Sequence, residues 1–425
     1  MAHTMAHMVQ PPAPRAASGP GRRVLVCDLV GLGLFLVGAG WSFAAAALDG
    51  RGTPVPVALV WLACLGAVVA GLFLSGLGRW LPPLVVAAGG VVFALRHVDS
   101  LGDTLFGPLG YSNASGELFV LCALAGLMAA VAAPGGWGWI VRVPAGLASA
   151  GFAVLVVMSG SSAALVVLVL VLLAAPAVAF GRTRAVRVVI ACYGAVVVLA
   201  LVATAVLGLT RAATPVDRYL SANRPGLWHE AIRMIGDEPL AGVGPGRFFA
   251  ESAIHDTDLA WAHNGFLQQG AEQGIPGLVL VVAVFAWGFV RLGVRPGADR
   301  AAACAAAALC ALGVHASVDY VLHFPALPLV AAFLVGAGAA PPWPWAGRDG
   351  DQGRAGGAAG DSAGSATASW APAATQAGAP SPAGQVPAPA EYQPQQWQPQ
   401  QWQPAHGQRG QPQQPPPAPP WPGHG

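Results

Sequence analysis

The sequence predicts an all-α membrane protein, a polytopic bundle of about ten transmembrane helices interrupted by one long extracytoplasmic loop. Three observations predict it. Mean hydropathy is +0.57, and 55% of the residues are hydrophobic against 9% charged, a balance outside that of soluble globular domains. Apolar runs long enough to cross a bilayer, roughly 20 residues each, recur along most of the chain. A single charge-bearing stretch, Arg211 to Gly277, breaks that series.

Taken in order, residues 1–22 form a polar, Pro-rich cytoplasmic segment. The first apolar run is too long for a signal peptide and lacks a cleavage site, so it reads as an anchored helix. Spans are expected at 23–47, 55–78, 80–96, 117–133, 140–158, 162–180 and 186–209, which make up a first membrane block, 23–209. After the loop at 210–274, a second block, 275–340, holds spans at 275–291, 301–318 and 324–340. From 341 to 425 the composition turns to Gly, Ala, Pro, Ser and Gln, with QPQQW repeated at 393–397 and 398–402. Too few aliphatic residues remain there to bury a core, so this reads as a disordered cytoplasmic tail, with a tail-binding protein as the alternative reading of its Trp and Pro.

Basic residues set the expected orientation. All of them are Arg. Arg22, Arg23, Arg79, Arg142, Arg182, Arg184, Arg187, Arg291, Arg295 and Arg300 fall on one side when ten spans are threaded, which places both termini in the cytoplasm. The long loop then carries Arg211, Arg218, Arg224, Arg233 and Arg247 on the side where cations are disfavoured, the compositional sign that they have a role. Cys27, Cys64, Cys122, Cys192, Cys304 and Cys310 each lie in an apolar run without a CxxC pattern, so neither a disulfide framework nor a zinc site is implied. The net charge of +2 singles out no class of partner; no nucleic acid and no cofactor are expected, and membrane lipids are. The spans are nearly free of charge, which argues against a proton relay of the transporter kind.

Within the loop, Leu227, Trp228, Ala231, Ile232 and Ile235 recur at helical spacing after Pro225. This predicts a short amphipathic helix lying in the interface with Trp228 at headgroup depth. GVGPGRF follows, with Gly242, Gly244 and Gly246 fitting either a plain turn or an anion-binding nest. It follows no strand and lacks the Lys-Ser/Thr of a phosphate loop, so it is not read as nucleotide-binding. His263 and Asn264 stand where a helix begins that leads through Gly274-Ile275-Pro276-Gly277 into the next span. On spacing alone His263 is either structural or a base able to take a proton from a sugar hydroxyl near neutral pH. Asp256-Thr257-Asp258 has the form used by metal-dependent glycosyltransferases, and also the form of an ordinary solvated loop.

In this order, Arg224 and Trp228, then GVGPGRF, then His263-Asn264-x-x-Leu267, then Gly274-x-x-Gly277, the sequence resembles the O-antigen ligase and O-antigen polymerase superfamily of membrane glycosyltransferases. The run HASVDYVLHFPALPLVAAFLVG, with Asp319 and Pro325, is similar to that family's closing helices, and the resemblance covers roughly 150–340. It implies a GT-C-like bundle in the cytoplasmic membrane and transfer of a glycan from an undecaprenyl-diphosphate carrier to a glycan, lipid or protein acceptor. Guanidinium groups bind phosphate oxygens without a metal, so metal-independent chemistry is expected, with Arg224 holding the diphosphate and His263 activating the hydroxyl. Arg211, Arg218, Arg247, Trp228 and Asn264 are the expected substrate-binding set. One departure stands out: where family members carry a Ser-Arg pair, MSGSSAALVV offers Ser161-Ser162. A transporter or an inactive scaffold of the same fold is the alternative.

Overall fold

The computed structural model describes residues 20–105, 107–135, 138–173, 183–210, 224–254, 260–295 and 297–341. Every regular element among them is helical: α1 (Pro20–Asp49), α2 (Pro54–Leu74), α3 (Leu81–Arg96), α4 (Ser112–Ala132), α5 (Trp139–Met158), α6 (Ser162–Leu172), α7 (Thr183–Thr210), α8 (Arg224–Asp237), α9 (Phe248–Glu251), α10 (Gly265–Val294), α11 (Arg300–Val318) and α12 (Ala326–Ala339), with short 3-10 turns at Val98–Ser100 and Val321–His323. Local chemistry starts several of them. Proline occupies the first turn of α2 and α3. Ser161, Asn264 and Asp299 cap α6, α10 and α11 by accepting backbone N–H bonds.

Seven of these helices are long and apolar enough to cross a membrane, and α3, α6 and α12 are shorter apolar helices at the three remaining predicted spans. The chain is an integral membrane protein. Burial sorts the spans. Of the most apolar window, 89% is buried in α11 and 83% in α4, against 22% in α1 and α2 and 17% in α5. α11 and α4 are therefore the axis of the bundle, and α1, α2 and α5 turn their aliphatic faces outward. Composition explains the centre: α11 reads RAAACAAAALCALGVHASV, and its small side chains let α4, α7, α10 and α12 approach closely. Gly71 of α2 and Gly336 of α12 do the same at one crossing, where a Cβ on either would strike a backbone oxygen of the other helix.

α4 begins at Ser112, earlier than the expected boundary at 117, because SNASG is not a loop but a first turn of small residues. Gly116 faces Ala164, Ser159 and Ser161 there, with no room for a Cβ. The shift draws Glu117 into the bundle, where it is fully buried and pairs with His315 of α11 at 2.9 Å. The expectation of nearly charge-free spans is corrected by this pair. Glu117 lies in the second turn of α4 and His315 in the last turn of α11, so the pair sits near one end of the bundle and forms no relay through the midplane.

α8 forms where the apolar periodicity placed it, but its packing differs from the expectation. Trp228 is fully buried, not at a membrane interface. Together with Leu227, Ala231, Met234, Val243, Phe248, Ala262, Leu267 and Ala271 it makes a second, smaller hydrophobic core beneath the hydrophilic stretch. This core fastens α8, α9 and the start of α10 to one another. Trp228→Ala is expected to cost about 3–5 kcal/mol of stability, the range for emptying a buried Trp site, checked by thermal unfolding of the detergent-solubilised protein.

α10 starts at Gly265, and non-helical Gln273 and Gly274 (φ 68°) break it before Pro276. Ile275 N–H, freed by the break, donates to Pro239 O at 2.8 Å, and Trp41 of α1 donates to Gln273 O at 2.9 Å. The break is thereby pinned from two sides. At the other end of α10, Arg291 pairs with Asp28 and Trp287 donates to Cys27 O.

Candidate active site

The residues singled out in the sequence converge on one they did not include. Asp319 ends α11 as its C-terminal cap and is fully buried. Its Oδ2 accepts from Tyr111 Oη (2.7 Å), Arg224 Nη2 (3.1 Å) and Asn113 Nδ2, and its Oδ1 accepts from Tyr320 N–H at 2.7 Å. His263 Nδ1, buried, lies 3.3 Å from Oδ1, an electrostatic approach whose geometry does not make it a hydrogen bond. Burial by itself raises a carboxyl pKa, but here the close approach of His263 and the charge of Arg224 outweigh it and hold Asp319 well below the usual carboxylate range. Tyr111 moves the other way: burial, and then the Asp319 charge, push its phenol far up, so it stays a donor.

His263 is held by its backbone more than by its ring. Its φ of +47° is the one left-handed non-glycine conformation among the described residues. Three contacts impose it. Trp228 Nε1 donates to His263 O at 3.0 Å, Gly265 N–H donates to Asp319 O at 3.0 Å, and Asn264 is locked between them. Asn264 Oδ1 caps α10 by accepting from Phe266 and Leu267, while its Nδ2 donates to Ser317 O (2.6 Å) and Thr204 Oγ1 (3.2 Å). The start of α10 is in this way fastened to the end of α11, and the imidazole is aimed at Asp319.

An anionic carboxylate facing Nδ1 selects the tautomer with its proton on Nδ1 and leaves Nε2 with a lone pair. Nε2 makes no hydrogen bond among the described residues, and 11% of the side-chain surface remains exposed. Tyr320 stacks between Tyr111 (4.8 Å) and Trp261 (5.7 Å) and meets the His263 ring edge-on at 4.9 Å, a wall of aromatic surface beside the carboxylate. The arrangement can take a proton at Nε2 and spread the resulting charge onto a buried anion.

The remaining candidates separate. Arg224 is nearly buried, with Nη1 donating to Val318 O and Nη2 to Asp319, so its charge is applied to Asp319. Trp228 acts on His263 through the backbone bond. Arg247 belongs to another group, paired with Glu251 at 2.7 Å, which Arg51 also reaches. Next to it the GVGPGRF amides are used internally: Gly246 N–H donates to buried Glu272 at 2.9 Å, and a Cβ on Gly242 (φ 68°) would lie 2.5 Å from Ala271 O. The glycines are there for shape. Arg211, Arg218, Arg182, the Asp256-Thr257-Asp258 triplet and the 342–425 tail lie outside the described residues. Ser161 donates to Asn113 Oδ1 at 2.7 Å and so reaches Asp319 through one side chain.

Tyr111 and Asn113 are residues of this cluster that sequence reasoning passed over, and Asp319 was noted only as part of the closing run that resembles the family, with no role given. A lone acid in a short joint between two apolar helices, and a Tyr-Ser-Asn immediately before an apolar run, were the available signals. Residues 147–282 match the family described as O-antigen ligase. No curated protein matches the chain.

Proposed function

We propose that this membrane protein, whose residues 147–282 match the family described as O-antigen ligase, transfers or polymerises a glycan from an undecaprenyl-diphosphate carrier onto an acceptor hydroxyl at the outer face of the cytoplasmic membrane. The observation that carries this reading is the His263–Asp319 pair, with Nδ1 turned to a buried anion and Nε2 unengaged. Nε2 removes the hydroxyl proton as the oxygen attacks the anomeric carbon from the face opposite the diphosphate. The bond from that carbon to the phosphate oxygen breaks, and its electron pair leaves with undecaprenyl diphosphate. The product has inverted configuration. Asp319 stabilises the imidazolium that forms, and Arg224 and Tyr111 keep Asp319 charged and in place. The diphosphate is already a good leaving group, so cations contribute more than a general acid does; Arg211 and Arg218 are the arginines assigned to it.

Membranes containing the full chain, given an undecaprenyl-diphosphate oligosaccharide and a glycan acceptor, are expected to release undecaprenyl diphosphate and form a new glycosidic bond. Chelation with EDTA is expected to leave the rate unchanged. Loss of the rate on chelation, restored by Mg²⁺ or Mn²⁺, would move the chemistry to a metal-dependent scheme, and no transfer with any lipid-linked donor would leave the scaffold reading standing.

A further inference from the structure

The end of the bundle away from Asp319 carries a second site. Arg300 opens α11 and Asp319 closes it, so the two ends are separated by the 19 residues of the helix, about 28 Å at 1.5 Å per residue. At the Arg300 end a cavity of about 530 Å³ opens between the α2–α3 turn, the end of α4, the start of α7 and the α10–α11 turn, with Arg79, Thr183, Asp299 and Arg300 on its wall. Asp299 is already held by Arg79 and by Arg295 at 3.0 Å. Arg79 keeps its Nε buried without a partner, and Arg300 has no ion-pair partner among the described residues. Positive charge is therefore in excess. Arg187 adds to it from α7, reaching Arg295 O at 3.4 Å.

The polar cavity does not end at the arginines. An apolar crevice of about 180 Å³ shares Val131 and Arg300 with it and runs inward past Leu124, Leu127, Cys304 and Ala307. The one hydroxyl on that crevice, Tyr193 Oη, is spent on Val171 O at 2.8 Å. A cationic pocket at the bundle surface that continues into a dry groove at bilayer depth matches an anionic amphiphile; a soluble phosphate would fill only the outer part. Basic pockets between membrane helices take phospholipid headgroups in this way. We propose that this composite cavity binds an anionic phospholipid, its phosphate diester against Arg79 and Arg300 and an acyl chain along α4 and α11 beside Cys304 and Ala307. The site is structural, not a donor site, because it lies a full helix length from His263.

The test uses the full-length protein in a neutral detergent, with bound lipid read by native mass spectrometry and stability by thermal unfolding. Phosphatidylglycerol is expected to be retained and to raise the unfolding temperature, whereas phosphatidylcholine with the same acyl chains and soluble glycerol phosphate are not. Arg300→Gln, at an exposed position, is expected to weaken phosphatidylglycerol binding about fivefold, the worth of one cation beside an anionic headgroup. Ala307→Leu fills the crevice and is expected to weaken it as well, with Leu127→Phe supplying the same test if that variant fails to insert. Arg22→Gln, at the same end but exposed and off the cavity, is expected to change nothing. Equal binding of the two phospholipids, or phosphatidylglycerol binding untouched by both cavity variants, overturns the proposal. So does equal stabilisation by glycerol phosphate, which would leave a soluble-anion pocket in its place.

Discussion

His263→Ala is expected to lower glycan transfer by about 10²- to 10⁴-fold, the contribution of a positioned general base, while the protein still inserts and folds. Two features separate chemistry from stability here. Among the described residues the ring's polar and aromatic partners are Asp319 and the edge of Tyr320, and Asp319 keeps its bonds to Tyr111, Arg224 and Asn113 when the ring is removed. The backbone is another matter, because a φ of +47° is strained for alanine and free for glycine. His263→Gly is accordingly expected to be at least as stable as His263→Ala and equally inactive, measured as unfolding temperature beside transfer rate in the same membranes. A rate near wild type in either variant removes His263 from the mechanism.

Asp319→Asn is expected to cost on the order of 10⁴ in rate, as amidation of the carboxylate behind a catalytic imidazole does in hydrolase triads. The amide no longer selects the Nδ1–H tautomer, and its NH₂ must face a donor, since Tyr111, Asn113, Arg224 and the Tyr320 amide all point inward. Asp319→Ala goes further and is expected to destabilise the fold by about 3–5 kcal/mol, because Arg224 is left charged, nearly buried and unpaired. The double variant Arg224→Met/Asp319→Ala removes both charges and is expected to recover part of that stability and none of the transfer. If Asp319→Asn transfers glycan at the wild-type rate, the pair with His263 is structural only.

The bundle was legible in the sequence because bilayer length and hydropathy are properties of contiguous residues. Seven predicted spans correspond to helices long enough to cross, and α3, α6 and α12 coincide with the other three. Where the reading slipped, small polar residues were the cause. SNASG looked like loop, yet in a bundle centred on alanine-rich α11 those residues are what lets the first turn of α4 pack, and so Glu117 was taken for a boundary residue. Trp228 was placed correctly on an apolar helical face and wrongly at a lipid interface, since one amphipathic pattern serves a membrane surface and a protein core equally well. Arg224, His263 and Asn264 were recognised as belonging together through a family resemblance and the excess of loop arginines. Asp319 was noted in the family-like closing run but not joined to them, because its partners lie 95 and 208 residues away at Arg224 and Tyr111.

The sequence by itself determined that this protein is a helical membrane bundle with one charged stretch between α7 and α10, and it singled out His263 and Arg224 in that stretch as candidates. Hydropathy and local motifs carry that much, for they act over a few turns of chain. Only the tertiary structure decided that the His263 imidazole faces a carboxylate, that Arg224 serves that carboxylate, and that Arg79 and Arg300, from two different turns, share one cavity at the opposite end. Those pairings arise where helix ends distant in sequence meet, and a buried charge is tolerated only where its partners are brought to it.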